Sequence, residues 1–77
     1  MARVIKNYHD NKQLKEEYFV NNRKIEGEYK EYYENAQLRE ICNYVNGKIE
    51  GEYKIYNENG QLDKIFYYVN DIKQYKN

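Results

Sequence analysis

The sequence predicts an all-β chain: an antiparallel meander of about seven short strands, folded as three 24-residue β-hairpin repeats in one elongated, single-layer twisted sheet. Two observations carry this expectation. Segments rich in Tyr, Ile and Val recur at a fixed step, and Asn-led dipeptides punctuate them at regular intervals. Asn-Gly between such runs is a strong hairpin signal, because a type I′ turn needs positive φ at both central residues.

Internal repetition is plain to read. Gly27 to Leu38 (GEYKEYYENAQL) returns as Gly51 to Leu62 (GEYKIYNENGQL), 24 residues later. The same step links Tyr8, Tyr32 and Tyr56, then Asn11, Asn35 and Asn59, then Leu14, Leu38 and Leu62. Three copies therefore occupy residues 3–26, 27–50 and 51–74 of a single domain. The first copy has Arg3 and Ile5 where the others have Gly and Tyr. A fragment of a longer array would read the same way.

Six turn dipeptides follow: Asn11-Lys12, Asn22-Arg23, Asn35-Ala36, Asn46-Gly47, Asn59-Gly60 and Asn70-Asp71. Two-residue loops fix register, so facing pairs can be deduced. They set Tyr53 against Phe66, Gly51 against Tyr68 and also against Cys42, Leu38 against Ile55 and also against Tyr33, Tyr29 against Cys42, and Gly27 against Tyr44. One face then gathers Tyr29, Tyr44, Tyr53, Phe66 and Tyr68 with Leu38, Cys42, Ile55 and Leu62, and the other carries most of the charge. Each strand glycine faces a tyrosine whose ring can cover bare backbone. The same register sets Arg39 against Lys54 and Lys15 against Lys30, which is unfavourable. Arg23, Ala36 and Asp71 stand where the turn favours glycine, so those turns should be strained, at up to about 1 kcal/mol for a left-handed non-Gly residue, or of another type.

Composition excludes several classes. With 13 basic and 13 acidic side chains the net charge is zero, so the electrostatic attraction that drives nucleic-acid binding is missing. One cysteine forms no internal disulfide, and Cys42 with His9 supplies too few ligands for structural zinc. No apolar run approaches a membrane span, and the N-terminus lacks a signal-like core, so the expected location is cytoplasmic. Eleven tyrosines spread along the chain argue against disorder.

The unit from Tyr44 to Leu62 resembles the bacterial variant of the MORN repeat, found in antitoxin-like and immunity-like proteins, and the likeness is strongest from Ile25 to Asn70. It implies stacked hairpins in a gently twisted sheet with an aromatic groove. Members sometimes carry a phosphatidylinositol phosphate kinase label, because such repeats precede the catalytic domain in plant versions of that enzyme. This sequence has no Gly-rich phosphate loop, and kinase chemistry is not expected.

No catalytic residue, metal site or cofactor is expected. By this register His9 lies solvated at the first turn and Cys42 packs mid-sheet on a later strand, too far apart for a Cys–His nucleophile. Glu26/Glu28 and Glu50/Glu52 read as a solvated charged face, and the Asp/Asn turns lack the ligand pattern of a calcium loop. Tyrosine and phenylalanine on an open sheet form a rigid amphipathic contact surface of the kind enriched at interfaces. The expected function is therefore non-enzymatic protein–protein interaction, or self-association, through Tyr29, Tyr44, Tyr53, Phe66 and Tyr68, with an antitoxin-like role implied by the resemblance. The alternative is a peripheral phospholipid- or phosphoinositide-binding module using Lys15, Lys30, Arg39 and Lys54. Unpaired edges near Arg3–Tyr8 and Ile72–Tyr75 offer a further route to a partner.

Overall fold

The computed structural model describes residues 2–75. Its strands are β1 (Arg3–Tyr8), β2 (Leu14–Asn21), β3 (Lys24–Tyr32), β4 (Leu38–Val45), β5 (Lys48–Ile49), β6 (Gly51–Tyr56), β7 (Leu62–Val69) and β8 (Ile72–Gln74). Every pairing is antiparallel within one sheet, in the order β1-β2-β3-β4-β6-β7-β8, and β5 also pairs with β4. The sheet measures 39 × 36 × 12 Å, the thickness of a single layer. The all-β meander and its seven strand positions agree with the sequence reading; β5 and β6 share one position.

The six turns fall into two classes, a distinction the shared Asn-led dipeptides conceal. In Asn22-Arg23, Asn46-Gly47 and Asn70-Asp71 both residues have positive φ, between 52° and 82°. These are the expected two-residue type I′ turns, closed by the pairs Asn21–Lys24, Val45–Lys48 and Val69–Ile72. At Asn11-Lys12, Asn35-Ala36 and Asn59-Gly60 only the second residue is left-handed. There the loops are longer: Lys12, Ala36 and Gly60 N–H donate to the carbonyls of His9, Tyr33 and Asn57, whose own N–H groups donate to Gln13, Gln37 and Gln61. This is a tight turn followed by a one-residue bulge.

The longer loops shift the strands that follow them. Tyr8, Tyr32 and Tyr56 pair with Leu14, Leu38 and Leu62, while Asn7, Glu31 and Ile55 pair with Glu16, Glu40 and Lys64. Lys15, Arg39 and Asp63 are left over as bulge residues. The expected Tyr33–Leu38 pair therefore does not form, and a one-residue slip moves Leu38 and Leu62 off the tyrosine face to join Tyr32 and Tyr56 on the other.

A second irregularity sits at the glycines. Between the pairs Tyr18–Tyr29 and Val20–Ile25, the three residues Glu26, Gly27 and Glu28 lie opposite Phe19 alone. The next repeat does the same: β4 pairs Tyr44 with Ile49 but Ile41 with Lys54 and Glu40 with Ile55, so the expected Cys42–Gly51 and Leu38–Ile55 pairs are displaced. On their other edges Gly27 and Gly51 keep the expected partners Tyr44 and Tyr68. Both glycines have positive φ, 84° and 86°, and a Cβ at either would meet nothing within 4 Å. Backbone conformation, rather than ring coverage, is what requires glycine there. Arg3 occupies the same repeat position without positive φ, because β1 has only β2 beside it and no second ladder to rejoin.

These shifts also remove the like-charge conflict. Lys30 faces Glu17 and Lys54 faces Ile41, so neither opposes Lys15 or Arg39.

Two substitutions test this backbone account. Gly51→Ala should destabilise by roughly 1–2 kcal/mol, and Ala36→Gly, at φ 73°, should stabilise by up to about 1 kcal/mol, both read as shifts in urea midpoint at unchanged slope.

Candidate protein-binding face

The tyrosine face is assembled by the ladder registers. Tyr18 on β2 stacks on Tyr29 with ring centroids 5.3 Å apart, Tyr29 leans on Tyr44 at 5.9 Å, and Tyr53 leans on Tyr68 at 5.7 Å. Tyr53 pairs directly with Phe66. The five candidate residues thus share one face, in two aromatic groups on either side of Cys42. All are half-buried; Cys42, 4% exposed, is the only buried apolar side chain among the described residues.

The sequence reading missed the carboxylates that thread this face. Glu16 pairs with Glu31, which pairs with Glu40, so three carboxyl groups lie side by side across β2, β3 and β4. Tyr29 Oη donates to Glu16 Oε2 and Tyr53 Oη to Glu40 Oε1, both at 2.6 Å. These two bonds are the same contact one repeat apart. Strand alternation carried the signal for Glu31 and Glu40, which stand two residues from Tyr29 and Cys42. Glu16 and Tyr18 were legible in the same way, since the Asn22-Arg23 turn sets them against Tyr29 and Gly27 on this face; the glycine bulge moves their partners to Glu31 and Tyr29.

Crowding sets the titration of this row. Burial, then the hydrogen bond and charge of Glu40, raise the Glu31 carboxyl to about 7. Burial opposes ionisation of Glu40 as well, but hydrogen bonds from Glu31 and Tyr53 and the charge of Arg39 outweigh it and hold that carboxyl below its ordinary value. The Tyr29 and Tyr53 hydroxyls are held protonated, first by burial and then by their bonds to glutamate. Burial pushes the Cys42 thiol up to about 11, which suits packing rather than nucleophilic attack.

The other candidates are dispersed. His9 Nε2 lies 2.8 Å from the Tyr32 carbonyl oxygen, so His9 is half-buried and bonded rather than solvated, and it borders a different hollow from Cys42. The glutamate pairs split at the glycine bulges: Glu26 and Glu50 accept from the turn amides of Asn46 and Asn70, while Glu28 and Glu52 contact Lys30 and Lys54 at 3.4 Å. Arg39 lies 4.0 Å from Glu40, and Lys15 borders a polar hollow with Tyr8, His9, Asp10 and Glu34. Three of the four basic candidates for lipid contact are thus charge-paired. No group of three or more His, Cys, Asp or Glu among the described residues is arranged to hold a metal ion, and no helix is long and apolar enough to cross a membrane.

A one-layer stack of hairpins with an open aromatic face defines a β-hairpin repeat module. The family model described as MORN repeat variant matches residues 4–22, 25–46 and 49–70, and the chain belongs to that family. No curated protein and no solved structure matches the chain.

The carboxylate row makes stability depend on pH. Glu31 is raised in the fold relative to the unfolded chain, so its contribution is fully present below about 4.5 and is lost as pH rises through about 7. The thermal midpoint should fall between pH 5.5 and 8, and Glu31→Gln should abolish that fall while raising the midpoint at pH 8.

Proposed function

We propose that the chain is a protein-binding module whose contact surface is the face bearing Tyr29, Tyr44, Tyr53, Phe66 and Tyr68, and that it acts without catalysis. The observation that supports this most is the pairing of those rings on one side of a sheet only 12 Å thick, with the hydroxyls of Tyr29 and Tyr53 locked by glutamates. Rings held this way lose little further conformational freedom on binding, which favours them as anchors. A toxin-neutralising role is the finer form of this reading and draws on the family resemblance alone. The free thiol of Cys42 accords with a cytoplasmic setting.

An anionic lipid surface has less support. Its basic candidates Lys30, Arg39 and Lys54 each sit beside a glutamate, and the whole chain is neutral. The chain should not sediment with anionic vesicles at low salt.

A photoreactive phenylalanine analogue placed at Tyr53 or Tyr68 should yield covalent protein adducts in cells, whereas the same group at Glu28 or Glu52 on the opposite face should not. Absence of protein adducts from positions 53 and 68 would sink the proposal.

A further inference from the structure

Resting on that reading, the charge layout of the same face indicates what covers it. Over β2 to β4 the face carries the row Glu16, Glu31 and Glu40, three carboxyl groups against the single guanidinium of Arg39, 4.0 Å from Glu40. Over β7 and β8 it carries two cations. Lys64 pairs with Ile55, itself paired with Glu40, so it lies on the tyrosine side. Lys73 pairs with Tyr68, and its Nζ stands 3.8 Å from the Phe66 ring centre. Among the described residues the ion pairs involve neither lysine. Arg3, paired with Val20, sits at the far end of β1, four residues from the Asn7 that bonds Glu16.

We propose that this face is self-complementary and that its partner is a second copy of the chain, packed face to face about a two-fold axis. Such an axis lays the carboxylate row of each copy over Lys64 and Lys73 of the other, and one operation satisfies both halves. A wholly basic partner would meet the glutamates but repel the lysine end; a polyanion would do the reverse. A second copy presents both signs in the required order. Stacked sheets pack about 10 Å apart, a gap that interdigitated aromatic side chains fill. The area suffices as well: the sheet spans 39 × 36 Å, and a standard interface needs about 800 Å² from each partner. Packing would also give the chain the interior it lacks, since among the described residues only Cys42 is buried in one copy. An ammonium group over the row offsets the charge of Glu40, which adds to burial in raising the Glu31 carboxyl.

Light scattering and sedimentation across a concentration series test this, with circular dichroism as the control for folding. The wild-type chain should be dimeric at micromolar concentration and should dissociate more readily as salt is raised. Lys64→Glu with Lys73→Glu should weaken the dimer at least about tenfold, and so should Glu31→Lys with Glu40→Lys. Mixing the two variants should restore a one-to-one dimer, because each then meets the complementary order of charge. If the second variant fails to fold, Glu31→Lys alone takes its place, since it leaves the Tyr53 to Glu40 bond intact. A wild-type chain monomeric throughout, a dimer indifferent to Lys64→Glu and Lys73→Glu, or a mixture that stays monomeric would each overturn the proposal. A monomeric chain that still forms adducts with a different protein from position 53 removes the second copy but leaves the binding face standing; a monomer with no adducts removes both.

Discussion

The lack of an interior governs this structure. Cys42 alone is buried among the apolar side chains of the described residues, so hydrophobic burial cannot order the hairpins as it orders a two-layer domain. Hydrogen bonds between one repeat and the next take over that task, and they lie along both margins of the sheet. On the side of the long loops, Asn11 and Asn35 Nδ2 donate to the carbonyls of Glu34 and Glu58, each at 3.0 Å, and Tyr33 Oη donates to the Tyr56 carbonyl at 2.7 Å. On the side of the short turns, Gly47 and Asp71 N–H donate to the carbonyls of Ile25 and Ile49, while Asn46 and Asn70 N–H donate to Glu26 and Glu50.

Asparagine therefore serves two separate purposes in one repeat. In the short turns its backbone tolerates the left-handed conformation, and any residue that does so cheaply would suffice. In the long loops its side chain matters instead: Oδ1 of Asn11, Asn35 and Asn59 accepts from the backbone N–H two residues on, while Nδ2 of the first two reaches the next loop. Glu26 and Glu50 change meaning in the same way. They are charged residues at an exposed margin, yet each caps a turn of the following repeat.

The period, the strand count and the grouping of the rings were legible in the sequence, because a 24-residue step copies Tyr, Asn and Leu into equivalent places. Register was legible only in part. The pairs Tyr53–Phe66, Tyr29–Cys42 and Gly27–Tyr44 emerged correctly because the bulge at Asp63 or Arg39 absorbs the extra residue of the longer loop before the middle of the strand is reached. Pairs across the other strand boundary failed at Cys42–Gly51, since Gly51 was taken as a flat strand residue rather than a bulge. The Asn-to-Asn spacing, which alternates between 11 and 13, held the clue to two unlike turns, but equal dipeptides masked it. The carboxylate row needed only strand alternation to be found at Glu31 and Glu40, and was overlooked because charge was assigned to the opposite face.

A sheet stabilised at its margins leaves its broad aromatic face available for contact, which links the way this chain folds to the way it is proposed to act. The claim beneath both is that successive hairpins are fastened by their turns. Amide hydrogen exchange at Asn46, Gly47, Asn70 and Asp71 tests it most directly, since these turn residues are solvent-exposed and would exchange rapidly if they did nothing beyond turning the chain. The account predicts protection comparable to mid-strand amides such as those of Ile41 and Tyr53. Rapid exchange at all four, with the strands still protected, would contradict it.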